Sequence, residues 1–455
     1  MEQAKTIPTE RLSFWTKLAY ASGDFGMSMG PGTIVPFFFL FFLTDVVRLS
    51  PSLAGLALLI GKIGDALNGP ILGLLSDRTR TRWGRRRPYF FFGILPFAFT
   101  FFLLWMTPPW ENPIALCVHF ALLFIVFDTA FNAVGLAYYA LIPELTQDYD
   151  ERTSLMAYIN VFSISGGLVG AVLPMTIVGL FPDRQTGFAA MGAIMGATFV
   201  PPLVLALAVA RERKEFQVMK TPSVLDSLRC VFRNRPMRFI IGLDILSWTT
   251  VSILSAVFIY YLVYWIGVSE EQASLVLGLV LASALVYLPV FNFLSRRMEK
   301  KWAYVIGMSV WVLVQMIIFL VPQGAVSLTY PLAILAGFGV SAAHILPAAM
   351  RADVIEVDEW HSGSRQEGVY MAISVFLRKL AISLALAAIG TALDRAGYVP
   401  GGPQPESALL AIRVFMGPVP ALLLILAVVL ASFYPITRES HRALLEELRR
   451  QREAL

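Results

Sequence analysis

Cysteine, histidine and charged side chains are all scarce in this sequence. Two cysteines, Cys117 and Cys230, form neither a disulfide framework nor a metal-ligand spacing. Four scattered histidines, His119, His344, His361 and His441, argue against the clustered ligands or activated nucleophile of a membrane enzyme. No Walker loop and no soluble nucleotide-binding domain is visible, so ATP-driven transport finds no support. Charged residues make up 15% of the chain and hydrophobic ones 57%, whereas a soluble domain is about a quarter charged. A soluble globular protein is therefore excluded. The small net positive charge implies no nucleic-acid partner, because Lys and Arg gather in alternate short loops. Residues 1–12 are polar and the first apolar stretch is longer than a signal h-region, so a cleavable leader is not expected.

What the chain has is twelve long apolar stretches, near 15–45, 51–76, 88–107, 113–142, 154–181, 187–210, 238–266, 270–295, 302–321, 327–354, 367–394 and 406–434. Each approaches or exceeds the length of about 20 apolar residues that a membrane helix needs. The loops alternate in charge. Six arginines fall in 77–88, eight Lys or Arg in 211–238 and four in 296–301, while the opposite loops hold Arg48, Arg184 and Arg395. Basic loops stay inside, which places both termini in the cytoplasm. The expectation is an all-α integral membrane protein of twelve transmembrane helices.

The two halves of the chain correspond. Ser50-Pro51-Ser52 reads as an N-cap with proline at N1, and Ser269-Glu-Glu-Gln272 as a capping box. Leu75-Ser-Asp77-Arg78 with Trp83 matches Leu294-Ser-Arg296-Arg297 with Trp302 at the same 219-residue offset as Ser50 and Ser269. Two six-helix halves in parallel pseudo-repeat are expected, at 1–210 and 238–434, joined by a cytoplasmic linker at 211–237. The tail, 435–455, reads as a cytoplasmic amphipathic helix.

An ionisable residue inside a span is costly unless a cavity, ion or partner receives it. Lys62 and Asp65 lie three apart on one helical face, with Asn68 and Gly69 continuing it. They read either as a cation or proton site or as a self-neutralising pair. Arg378 and Lys379 sit mid-span but point about 100° apart, so they do not face one point. Asp24 precedes Gly30-Pro31-Gly32, a sequence that permits a broken helix lining a cavity. Asp244, Asp128 and His344 are further mid-span candidates, each with packing as the plain alternative.

Asp77, Arg78, Arg85 and Arg86 share one loop side with acidic Asp148, Asp353 and Glu356, and with Arg152 and Arg365. Acidic loops among basic ones allow salt bridges that close a cytoplasmic mouth; the alternative role is topology determination alone.

The run from Asp65 through Asn68-Gly69-Pro70 to Asp77-Arg-Thr-Arg-Thr-Arg-Trp-Gly84-Arg-Arg-Arg-Pro88 resembles the glycoside–pentoside–hexuronide:cation symporters, the melibiose permease branch of the major facilitator superfamily. Supporting matches are Lys17 to Tyr20, Thr44 to Val47, Pro143 to Arg152, Ala352-Asp353, Arg365 to Gly368, Lys379 and Gly397-Tyr398. The resemblance implies a major facilitator fold and cation-coupled transport, with Lys379 approaching the Asp65 carboxylate. It departs at Gly69, where melibiose permease has a second carboxylate, which favours proton over sodium at Asp65. It departs again at Met27, Ser28, Gly135 and Asn160, where that permease has charged sugar ligands; Tyr139 keeps an aromatic that stacks on sugar.

The expected function is symport of a glycoside or similar polar organic solute by alternating access. A lysophospholipid is the alternative substrate, and a non-transporting receptor or a membrane enzyme the alternative class. Expected substrate-lining residues are Tyr20, Asp128, Tyr139, Asn160, Trp248 and His344, with coupling at Asp65, Lys379, Lys62 and Asp24. No cofactor is expected beyond the coupling ion, H+ or Na+, and no metal beyond a sodium ion at Asp65. The chain is expected as a monomer in a bacterial inner membrane, its partners the bilayer and a small-molecule substrate.

Overall fold

The computed structural model describes residues 11–212, 234–362 and 367–442, with 444 and 447. Most of the expected linker and much of the expected tail lie outside these residues. Twelve helices among the described residues are long and apolar enough to cross a membrane. They are α1 (Phe14–Val46), α2 (Pro51–Arg78), α3 (Arg87–Leu104), α4 (Pro113–Leu145), α5 (Tyr149–Val178) and α6 (Arg184–Val209), followed by α7 (Arg235–Ile266), α8 (Glu270–Arg297), α9 (Lys300–Leu320), α10 (Val326–Ser362), α11 (Glu367–Arg395) and α12 (Glu406–Ser432).

Side-chain caps start many of these helices. Ser13 accepts from Thr16 N–H at 3.1 Å, Asn234 from Met237 N–H at 3.2 Å, and Ser269 and Gln272 form the expected capping box. Asp183 accepts from Thr186 N–H at 2.9 Å, and bonds to Thr186 hold its carboxyl below the usual range. Burial is inverted relative to a soluble bundle: Phe91, Phe92, Leu95 and Phe99 of α3 are all exposed. Apolar faces that water would penalise are at home in hydrocarbon.

Two spans contain π-helical segments. Gly30–Ile34 and Phe42–Val46 interrupt α1, and Tyr261–Ile266 ends α7. The first covers the Gly-Pro-Gly sequence, where a helix break was expected. Wide turns of this kind recur at functional sites because they re-aim side chains.

The chain divides into two compact units. The first comprises 1–35, 67–111 and 118–220, the second 36–66, 112–117 and 221–455. In the first, Phe199 stacks against Phe97 at 4.9 Å and lies 4.7 Å from Phe101. There α1 runs so close to α5 that a Cβ on Gly166 would strike the Phe25 carbonyl. In the second unit the same device joins α2 to α11. A Cβ on Gly390 would meet the Pro51 carbonyl oxygen and lie 2.9 Å from Gly55 Cα. Ser52 adds a hydrogen bond to Asp394 at 2.7 Å.

Candidate functional site

The close approach at Gly55 and Gly390 keeps α2 and α11 in contact further along both helices. Asp65 lies ten residues beyond Gly55 and Lys379 eleven before Gly390, about 15 Å along each axis. There Lys379 donates from Nζ to Asp65 Oδ1 at 2.6 Å. Lys62, one turn back on α2, places Nζ 3.8 Å from the other carboxylate oxygen. Asp65 is 3% exposed. Removing one partner of such a buried pair leaves an uncompensated charge, at about 3–5 kcal/mol. The neighbouring signature residue turns elsewhere: Asn68, in the first unit, donates to Thr129 at 2.5 Å. A Cβ on Gly69 meets nothing within 4 Å, so the second carboxylate's position is open space.

A second ionic cluster in the same unit joins α7, α10 and α11. Arg351 Nη2 donates to Asp244 Oδ1 at 2.6 Å, and Arg378 Nη1 stands 3.6 Å from Asp244 Oδ2. The Arg378 guanidinium lies over the Trp248 ring at 4.8 Å. His344 adjoins this group, with its ring 4.8 Å from Trp248 and Nδ1 2.8 Å from the Val340 carbonyl. Adjacent Arg378 and Lys379 thus serve different carboxylates, as their angular separation requires.

In the first unit Asp24 is buried and accepts from the Tyr139 hydroxyl and from Ser28 Oγ at 3.0 Å. Ser28 in turn bonds Ser163 at 2.6 Å. Tyr20 is fully buried, stacked on Tyr138 at 4.8 Å, and donates to the Tyr138 carbonyl. Asp128 is buried and Asn160 exposed. Of the expected lining residues, Tyr139 joins Asp24, and Trp248 joins His344; Tyr20 packs in the core of the first unit.

Several of the loop charges are paired among the described residues. Arg85 and Arg86 reach Glu144 at 3.4 and 3.3 Å. Glu212 accepts from the backbone N–H groups of Arg85, Arg86 and Arg87 at 2.7, 2.8 and 2.7 Å, a carboxylate on the N-terminus of α3. Asp148 caps α5 through Asp150 and Glu151 N–H, and Arg152 reaches the Thr146 carbonyl at 3.5 Å. Asp353 receives Lys300 at 2.6 Å, and Glu356 receives His441 at 2.6 Å. Ligand atoms of Asp353, Glu356 and His441 lie within 4.8 Å of one another, a spacing that suits a cation, but the Lys300 ammonium already occupies Asp353. Arg78 is exposed. The side chain of Asp77 and the whole of Arg365 lie outside the described residues.

Sequence reasoning missed Arg351, Glu212, Lys300 and the network around Asp45. Arg351 and Lys300 stand near span ends, where a basic residue reads as an ordinary topology signal. For Asp45 the one signal was its place in the Thr44 to Val47 match.

The sequence profile of the family described as "MFS/sugar transport protein" matches residues 19–438. An uncharacterized symporter of Synechocystis is 34% identical, with 98% of each chain covered. A Danio rerio sodium-dependent lysophosphatidylcholine symporter is 27% identical over 94% of this chain and 87% of its own. Among solved structures, a D-xylose-proton symporter superposes with TM-score 0.66 at 16% identity, covering 92% of this chain and 97% of that one. The chain belongs to the MFS/sugar transport protein family: it is an integral membrane transporter with the major facilitator fold.

Proposed function

We propose that this protein is a cation-coupled symporter of the glycoside–pentoside–hexuronide type, carrying an organic solute by alternating access. The observation that supports this reading best is the buried contact of Lys379 Nζ with Asp65 Oδ1 at 2.6 Å. An ammonium held against a carboxylate is an internal stand-in for the coupling cation. When a proton or metal cation takes the carboxylate, the lysine is released, so occupancy changes which groups are paired. A single carboxylate flanked by Lys62 and Lys379, with open space at Gly69, favours a proton over sodium, which prefers several oxygen ligands.

The solute is a glycoside or similar polar organic molecule, in keeping with the family description. Tyr20, Asp128, Tyr139, Asn160, Trp248 and His344 are its proposed contacts. The relative described as a lysophosphatidylcholine symporter favours a second reading, an amphipathic lipid. In this proposal the six-helix halves are 1–210 and 238–434, the termini are cytoplasmic, and the chain works as a monomer in a bacterial inner membrane. Arg85, Arg86 and the acidic loop residues act at its cytoplasmic mouth.

The test uses proteoliposomes and the first solute that stabilises the purified protein in a thermal-shift screen of sugars, glycosides and lysolipids. Asp65→Asn should lose gradient-driven accumulation and keep exchange of labelled solute. Full accumulation by that variant overturns the assignment.

A further inference from the structure

We infer that the Asp244–Arg351–Arg378 cluster is an oxyanion site: the transported solute carries a carboxylate or phosphate group that Arg378 receives while Trp248 contacts the solute body. The inference rests on the proposed transport function and adds the charge of the substrate to it. Its basis is an imbalance. Two guanidiniums share one carboxylate, Arg351 at 2.6 Å and Arg378 at 3.6 Å, so the cluster holds one positive charge more than it neutralises.

The two arginines are not equivalent. Arg351 has 10% of its side chain exposed and donates directly to Asp244 Oδ1. Its role is to hold the carboxylate. Arg378 has 23% exposed, and among the described residues it makes an ionic contact with Asp244 and a ring contact with Trp248 but no hydrogen bond. Asp244 Oδ2, the oxygen facing Arg378, has no hydrogen-bond partner among the described residues. A guanidinium offers five donors in a rigid fork that matches carboxylate and phosphate. Leaving that fork unbonded in the middle of a span is expensive unless something visits it.

The floor beneath the charge suits an organic anion. Arg378 lies on the face of Trp248, which leaves the guanidinium edge free to bond, and the partly exposed indole gives apolar surface beside it. The His344 ring stands edge-on to the indole at 4.8 Å. This is a cationic point next to an aromatic plate, the pattern for an anionic head on a sugar ring or an acyl chain. Asp65 and its lysines form a separate centre, so anion binding and cation coupling act on different residues.

The test measures binding to the full-length protein in nanodiscs, with matched probes that differ in charge. One pair is phenyl β-D-glucoside against phenyl β-D-glucuronide, and the other monoacylglycerol against lysophosphatidic acid. In at least one pair the anionic member should bind about tenfold tighter or more. The pair that responds tells a sugar acid from a lipid phosphate. Arg378→Gln should erase the preference, and Arg378→Lys, which keeps the charge but loses the fork, should retain a part of it. If Arg378→Gln does not fold, a fewfold loss of preference in Arg378→Lys carries the test. Equal binding within both pairs, absence of binding by either anion, or a preference that survives both substitutions overturns the inference. None of these readouts needs an ion gradient, so they fail or succeed independently of Asp65→Asn accumulation.

Discussion

Asp45 accepts a hydrogen bond from the Tyr264 hydroxyl, and the two residues are 219 positions apart, the same offset that relates Ser50 to Ser269. Two positions related by that offset therefore meet in the second unit. Each lies in a π-helical segment, Phe42–Val46 and Tyr261–Ile266. Tyr398 Oη at 2.7 Å, Gly401 N–H at 3.0 Å and Thr44 Oγ1 at 2.6 Å complete the carboxylate's shell.

This network should stabilise the fold measurably. Each hydrogen bond to a buried charged group contributes about 1.5–3 kcal/mol, so Tyr264→Phe should lower the thermal unfolding midpoint and Asp45→Ala should lower it further. Their double variant should fall short of the sum, because both remove one interaction. Additive losses would show that the contact carries no energy.

The same network makes a pH prediction. Burial first, then the neighbours Tyr260, Asp45 and Tyr264, pushes the Tyr398 hydroxyl far above the usual phenol range. A group with a raised folded pKa contributes full stability below its unfolded value of about 10, and that contribution is lost as pH rises beyond it. Unfolding midpoints should therefore decline between about pH 9.5 and 11, and less steeply in Tyr398→Phe. Parallel declines in the two proteins would remove Tyr398 as the cause.

Gly390 sets the approach of α2 to α11, and through it the meeting of Asp65 and Lys379. Gly390→Leu should separate the helices and abolish accumulation even though both charged residues remain. Overpacking of this kind typically costs about 1–3 kcal/mol, so the variant should still fold. Retained transport in Gly390→Leu would show that the pair does not depend on this crossing.

Coupling should follow the proton. Proteoliposomes given an inward proton gradient should accumulate solute, and those given a sodium gradient at constant pH should not. The reverse result would make sodium the coupling ion.

Tyr139 and Asp24 make the last prediction. Tyr139→Phe frees one oxygen of a buried carboxylate, and should weaken solute binding by about tenfold without lowering expression. Unchanged binding in both Tyr139→Phe and Asn160→Ala would move the solute away from this face of the first unit.

Much of this protein was legible in its residues alone. Twelve spans and the Ser269 capping box follow from local rules: hydrocarbon thickness and hydrogen bonding at helix ends. Asp65 stood out because a carboxylate in an apolar run is energetically conspicuous wherever the run folds. Partners are a different matter. That Lys379 rather than Lys62 makes the shorter contact depends on two glycines letting α2 and α11 touch, 335 positions apart in the chain. That Arg351 and Arg378 share Asp244 depends on three helices converging, and periodicity along one helix carries no information about another. The tertiary structure alone decided those pairings, because which charges neutralise one another in a low-dielectric interior is settled by distances between helices.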